Sequence, residues 1–553
     1  MRICLYMDQS RIFRWHGWLA KALSAIPGCQ VGVRFASRRH PLPHACTLLF
    51  ELERLIYGIR DNALDRIGNS FDVAAGDDGT FDVVIDLAGF AESRPSAPRL
   101  LTLSFNGIPG EFGAVAAVVN KEAPLVAVHD SARAYPCRTA RPAFTDAKIL
   151  LRGLDEILSC AAHLMTSTLR DKREATEAPL RSPAAGQKSA APIGAEPPFI
   201  GGAALLHVSL AVARKSVRLA ELLATGGKAW AVAWRRAPAY ALLDARQAQF
   251  SVLPEDGRRY YADPFPFCWR GRTFLFVEEF SYAAHRGCIS IVEIDETGFI
   301  GTPRPVLEDS HHLSYPFIFE QDDEIWMIPE SGEAKGIYLY RAENFPFKWR
   351  REACLIDGLA AYDSTLLRHA GRLWLFVCER VWNSSSWDTL NLFYAETLTG
   401  TWLPHRSNPV LFDGALSRPG GAMFSCRGHD LRPVQDCSKQ YGGALSLCRI
   451  ETLTEDEFSQ VPVGRIHCGP YGCHTYNHAG IEVIDVFAKR GLGTVTAFFS
   501  PGTAQPELAS VTEAAGFAPP LGAPARDVVA ISNNTELINY VETAHARHSN
   551  LES

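Results

Sequence analysis

Beyond about residue 227 the chain is written in short runs in which apolar and polar positions alternate, the period of strands with one buried face. Runs such as ADPFPFCW (262–269), RTFLFVEE (272–279), SYPFIFEQ (314–321) and RLWLFVCE (372–379) are separated by turn residues. Similar phrases recur at long intervals: ADPFPF at 262–267, SYPFIF at 314–319, YDSTLL at 362–367 and SRPGGAMF at 417–424. Counted from Asp263 through Tyr315, Asp363 and Arg418 to His474, the steps are 52, 48, 55 and 56 residues. About fifty residues is the size of one four-stranded propeller blade. Five such units predict a closed β-propeller over 227–500, with the first strand of each blade lining a central channel.

Residues 1–165 follow a different rhythm. Strand-like runs at 2–7, 31–36, 81–89 and 100–107 alternate with a helical period from about Arg14 to Ile26. That order predicts a small α/β domain with a parallel sheet. Residues 166–226 read as a Pro/Ala-rich linker without an apolar period followed by a helical connector, and 501–553 as a tail with one short helix near 534–547. The most apolar stretch, GGAALLHVSLAVA at 201–213, is too short to span a bilayer and runs into Arg214, Lys215 and Arg218. An amphipathic helix lying on a domain or on a membrane surface fits it better.

Composition narrows the class further. At 553 residues two or three domains are expected, and 47% hydrophobic with 21% charged residues is ordinary for a globular chain. A net charge of -6 argues against a nucleic-acid partner, whose phosphates need a basic face. The fourteen cysteines are scattered, with no CxxC pair and no Cys/His spacing for zinc, so no metal is expected. They read as thiols of a reducing compartment. The first residues, MRICLYMDQSRIFRW, lack the apolar core of a signal peptide. A cytoplasmic location is expected, with peripheral membrane contact as a further expectation.

Glycosidic chemistry commonly uses two carboxyl groups, one protonated and one ionised. Asp263 and Asp363 open the first and third units, and Glu278, Glu279, Glu330 and Glu379 end second strands. Several carboxyls near one axis raise one another's pKa and supply a general acid near neutrality. Asp263, Asp363 and Glu330 are therefore the expected catalytic set. The second unit breaks the acidic series with Ser314-Tyr315-Pro316, preceded by His311 and His312, and there Tyr315 could stack on a sugar. The later units bring cations: Arg418 and Arg432 in repeated Arg-Pro steps, then Gln435, Asp436 and Lys439, and His474. Guanidinium forks read phosphate through paired hydrogen bonds. The expected binding set is thus Glu279, His312, Tyr315, Arg418, Arg432, Gln435 and His474, with one side of the channel mouth positive and the other negative. The alternative is that each arginine pairs with a blade acid.

Two resemblances add to this. The opening strand, FDVVIDLAG (81–89) and SFNGIPGEFG (104–113) resemble the N-terminal domain of the formyltransferase family, which uses an Asn-x-His step. Here that step reads Asn106-Gly107-Ile108, so no imidazole stands ready to take a proton from an attacking amine. The resemblance implies a degenerate domain kept for docking or for holding a sugar nucleotide. The string ADPFPFCWRGRTFLFVEE, HHLSYPFIFEQDDEIWMIPES, GIYLYRAENFPFKW and YDSTLLRHAGRLWLFV, with LTGTWLPHRSNPV and LRPVQDCSKQYGGAL, resembles the N-terminal domain of the glucosamine inositolphosphorylceramide transferase family over about 255–490. That domain is similar to the five-bladed propellers of furanosidase-type glycoside hydrolases. Plant members carry a separate transferase domain after it, which a fifty-residue tail is too short to contain. The resemblance implies glycosyl transfer in glycan or glycolipid assembly, on a sugar or sugar-phosphate substrate and with a nucleotide sugar as the donor class. The alternatives are glycoside hydrolysis, a binding module for a glycan or lipid headgroup and, third, N-formylation of an amino sugar.

Overall fold

The structure, a computed structural model, describes residues 1–67, 80–89, 94–120, 124–133, 136–143, 149–170, 228–295, 297–426 and 428–502. The linker and connector beyond Arg170 and the tail helix lie outside these residues.

The N-terminal unit runs β1 (Arg2–Met7), α1 (Arg14–Ser24), β2 (Gln30–Phe35), α2 (His44–Tyr57), β3 (Val83–Asp86), β4 (Arg99–Phe105), β5 (Ile108–Pro109), α3 (Glu111–Asn120), β6 (Val126–Asp130), β7 (Arg138–Ala140) and α4 (Leu150–Arg170). Its sheet has the order β2-β1-β3-β4-β6-β7. The first four are parallel, but β6 runs against β4 and β7 against β6, so the sheet is mixed where a parallel one was expected. The reversal has a local cause. Asn106, at φ 49, and Gly107, at φ 80, fold β5 back on β4, and the Asn106 side-chain oxygen accepts the Leu125 amide at 2.8 Å as the chain enters β6. Buried Glu53 of α2 caps α4 by accepting the Leu150 and Leu151 amides.

The remaining described chain is mostly β, in curled antiparallel sheets. β8 (Lys228–Arg235) and β9 (Gln247–Val252) come first. A first meander follows as β10 (Arg259–Trp269), β11 (Arg272–Ser281), β12 (Arg286–Asp295) and β13 (Gly298–Leu307). The second is β14 (Ser314–Gln321), β15 (Glu324–Glu330), β16 (Gly336–Asn344) and β17 (Lys348–Asp357). The third is β18 (Ala361–His369), β19 (Arg372–Glu379), β20 (Thr389–Ala395) and β21 (Leu403–Pro404), with β22 (Leu411–Phe412) added to β20. The fourth is β23 (Phe424–Cys426), β24 (His429–Asp436), β25 (Ala444–Leu453) and β26 (Phe458–His467). The fifth joins β27 (Tyr476–His478) and β28 (Glu482–Lys489) to β8 and β9, and β29 (Thr494–Pro501) links its outer edge to the fourth.

The inner strands of the meanders are buried in unbroken runs, as in β11 and β19, so both faces of a sheet are covered and pack against the neighbouring sheets. One core lies between each adjacent pair. Phe276 and Ile291 meet Phe317 and Met327; Ile328 and Leu339 meet Leu375 and Val377; Phe376 and Leu390 meet Leu453 and Phe458. Leu445 and Ile466 meet Ile484 and Phe250, and Val232 and Val483 return to Leu275 and Val292 of the first sheet. The five sheets therefore close a ring.

The N-terminal unit docks on the third sheet. Trp18 stacks on Trp382 at 5.8 Å, His163 meets Phe412 edge-on, and Asn383 donates to the Asp61 carbonyl and to Asp155. Arg141 forms a parallel bridge with Asp413, and the Ala143 amide donates to Asp388 at 3.1 Å. Gly414 is obligatory at this seam, because a Cβ there would lie 2.7 Å from that of Ala143.

Candidate functional site

Three innermost strands share one irregularity. β10 slips register against β11 between Ala262 and Phe265, β14 against β15 between Ser314 and Phe317, and β18 against β19 between Tyr362 and Thr365. Inside each bulge one residue takes a left-handed conformation: Asp263 at φ 48, Tyr315 at φ 43 and Asp363 at φ 53. A left-handed residue other than glycine costs on the order of 1–3 kcal/mol and persists only where its surroundings hold it. The bulges bring the backbone of each of two residues onto a neighbouring carboxylate. The Tyr315 amide donates to Asp263 at 3.2 Å, and the Asp263 amide donates to Asp485 at 3.1 Å.

Around Asp263 lies one cluster. Its carboxylate accepts from the Thr475 hydroxyl at 2.7 Å and stands 3.8 Å from Nε2 of His474. Nδ1 of His474 meets Asp485 in a tight contact, and the Asp485 carboxylate also accepts the His474 and Thr475 amides at 2.9 Å. The imidazole stacks on Trp230 with ring centres 3.9 Å apart and meets Tyr441 edge-on. Burial disfavours charge on His474, but Asp485 and Asp263 outweigh it and hold its pKa above the usual value. Burial pushes the Asp263 carboxyl up to about 6, against the pull of His474 and with help from Asp363 and Asp485.

A second cluster surrounds Asp363. Arg418 presents Nε and Nη2 to its two carboxylate oxygens, Nη2 also reaches Glu330 at 3.3 Å, and Nη1 donates to Ser386 at 3.0 Å. Gln435 adds a donor to Asp363 at 2.6 Å. The guanidinium lies under the rings of Tyr362 and Tyr441. Glu330 has its pKa pushed well up by burial and by Asp363, against the pull of Arg418. Glu278 is raised for the same two reasons, burial and then Asp263, and stands 3.5 Å from His312. The arrangement therefore sets carboxyls whose pKa is raised beside Asp363, which Arg418 and Gln435 hold, and such unlike neighbours are what acid and base roles require.

Of the residues singled out from sequence, Asp263, Glu278, Asp363, Glu330, Arg418, Gln435 and His474 come together. The rest of the expected binding set goes elsewhere. Arg432 is fully buried, and its guanidinium serves the Leu416 and Ser417 carbonyls and Gln460 rather than the channel mouth. Tyr315 is buried, with its hydroxyl between Thr365 and the Gly421 amide, so its ring joins sheets instead of offering a platform. Glu279 pairs with Arg259 and Ser290, and Nδ1 of His312 accepts the Gly287 amide. The expected split into a positive and a negative side is corrected as well, because Arg418 lies among the acids and is neutralised by them. Sequence reasoning missed Asp485, Thr475, Trp230 and Tyr441. Asp485 carried a signal: an acid inside the apolar strand EVIDVFAK is costly unless a partner waits for it.

Asp263, His474 and Asp485 offer ligand atoms within 4.8 Å of one another, close enough for a metal ion. A ligating imidazole must be neutral, so an ion bound there would displace the proton that the two acids favour on His474.

Residues 215–487 match the family model of the N-terminal part of glucosamine inositolphosphorylceramide transferase 1. The resemblance expected from the sequence is thus present over that region. The transferase of that name from Oryza sativa subsp. japonica is 36% identical over 211 residues, which are 37% of this chain and 28% of that protein. Its Arabidopsis thaliana counterpart is 34% identical over 218 residues, 38% of this chain and 28% of that protein. The chain spans little more than a quarter of the length of these relatives. Among solved structures, a family 117 glycoside hydrolase from Zobellia galactanivorans aligns over 44% of this chain and 90% of its own, at 10% identity and a TM-score of 0.31. An α-L-arabinanase from Cellvibrio cellulosa aligns over 41% and 82%, at 13% identity and a TM-score of 0.28.

Proposed function

We propose that the ring is a furanosidase-like five-bladed propeller and that its central cluster acts on a glycosyl unit, transferring it during assembly of a glycan or glycolipid. One observation carries this: Asp363, fixed by Arg418 and Gln435, is set beside Glu330, whose pKa burial pushes well up. Asp363 then stabilises positive charge that develops at the sugar, while Glu330 delivers a proton to the leaving oxygen and Asp263 positions the reacting groups with His474. Tyr441 and Tyr362, both partly exposed, supply the aromatic faces that a sugar ring packs against. The matched relatives are named as transferases, which favours transfer over hydrolysis. A nucleotide sugar is the donor class to test first.

The acid set itself would equally serve a glycoside hydrolase, so hydrolysis is the second reading. The N-terminal unit is proposed as a degenerate, formyltransferase-like scaffold docked on the third sheet. His129 on β6 is hydrogen-bonded to Ser104 on the neighbouring β4, and burial lowers its pKa.

The test is turnover of a panel of nucleotide sugars and simple glycosides, with and without a glycolipid acceptor, by the protein and by Asp263→Asn and Asp363→Asn. Product that needs acceptor and both aspartates supports transfer. Release of free sugar alone turns the assignment to hydrolysis. Binding without turnover in any arm leaves a recognition module and defeats the enzymatic proposal.

A further inference from the structure

We propose that the outer face of α2 is a docking surface for an anionic membrane. Helix α2 buries Cys46, Leu49, Phe50 and Glu53, the spacing of a single helical face. Leu48 and Leu55, seven residues apart and so aligned with each other, point the opposite way. Leu55 is 82% exposed, Leu48 56%, and Phe35 at the end of β2 43%. Among the described residues six large apolar side chains are this exposed, and two of them, Leu48 and Leu55, share one face of one helix. A shallow depression lined by His44, Ala45, Thr47, Leu48 and Glu51 lies on the same helix.

Charge decides between occupants. Arg38 and Arg39 precede the helix and Arg60 follows it, all exposed. Arg39 is bonded to the neutral side chain of Gln9, so that contact leaves its charge uncompensated. The exposed acids there are paired: Glu51 with Arg54, which also reaches Asp65, and Asp61 with Arg14. The chain as a whole carries a formal charge of -6, so this face is locally basic on an acidic protein. Leucines set between arginines match a bilayer in which acyl chains lie just beneath anionic headgroups. The surface lies on the N-terminal unit, outside the ring, and does not depend on what the central cluster does.

The full-length chain is sedimented with phosphatidylcholine vesicles, with and without phosphatidylserine. Binding is expected to the anionic vesicles and to weaken as salt is raised, because screening shortens the reach of each charge to about 3 Å at 1 M. Arg39→Gln with Arg60→Gln lowers the partition coefficient roughly thirty-fold, at about fivefold for each basic residue at the surface. Leu48→Ser with Leu55→Ser lowers it at least roughly tenfold, while Leu403→Ser, an exposed leucine on the third sheet, leaves it unchanged. All these positions are at the surface, so an unaltered circular dichroism spectrum confirms the fold of each variant. The proposal is overturned if no vesicle is bound, if neutral vesicles bind equally well, or if the double leucine variant binds as the parent does. It is overturned too if that variant turns a dimer into a monomer while no vesicle is bound, for the face then belongs to a second copy.

Discussion

Arg418 grips Asp363 with two nitrogens, Nε to one carboxylate oxygen at 2.5 Å and Nη2 to the other at 3.3 Å, although the two residues open different sheets. Both are almost wholly buried. Removing one partner of such a pair strands the other charge away from water. Arg418→Met is expected to cost about 3–5 kcal/mol in urea unfolding. Arg418→Met combined with Asp363→Asn is expected to cost less than the sum of the single changes, with a coupling of at least about 1 kcal/mol. Additive losses would show that the contact contributes nothing.

The seam between the N-terminal unit and the ring holds carboxyls shifted toward neutrality. Burial pushes Asp388 and Asp155 up to about 7, against the hydrogen bonds they accept from Ala143 and Ala63. In the unfolded chain both ionise near pH 4. The folded state therefore binds more protons between about pH 4 and 7, and stability must fall as pH rises through that window. Thermal unfolding is expected at higher temperature at pH 5 than at pH 8. Asp388→Asn keeps an acceptor for the Ala143 amide and should flatten the profile.

Trp230 lies flat against His474 and serves as its reporter. A protonated imidazole quenches indole emission, so the difference in emission between the parent and Trp230→Phe should rise as His474 loses its proton. Because Asp485 and Asp263 raise that pKa, the rise is expected above pH 6.5. Asp485→Asn should move it to lower pH, and an unmoved transition would show that the pairing does not govern His474.

Gly414 faces Ala143 across the seam with no room for a methyl group. Gly414→Ala is expected to destabilise by about 1–3 kcal/mol. Ala143→Gly should restore most of that loss in the double variant, read as thermal unfolding or as protease resistance of the two units. A Gly414→Ala protein as stable as the parent would mean that the seam yields.

Spacing in the sequence placed Asp263, Tyr315 and Asp363 in equivalent positions, and the structure puts all three in the same bulge with the same hand of backbone. Spacing carries position but not partner. Arg418 and Arg432 sit in identical Arg-Pro steps, yet one meets Asp363 and Glu330 while the other meets carbonyls, because the choice depends on which sheet faces each guanidinium. The mixed N-terminal sheet was hidden for a similar reason. Strands β6 and β7 read the same way in either direction, and only the reversal at Asn106 fixes theirs. The fifth sheet was hidden more deeply. KAWAVAWR is an alternating strand like many others, and nothing local marks it as the partner of EVIDVFAK.

That pairing bears on how the molecule is made. Arg235 of β8 reaches Glu482 of β28 across 247 positions of chain. A ribosome adding 5–20 residues per second needs roughly 12–50 s to cover that distance. For that interval β8 and β9 have left the ribosome while the strand that will shield them is still unmade. Whatever keeps two strand edges from pairing with a neighbouring chain must act during that wait, well before the central cluster can exist.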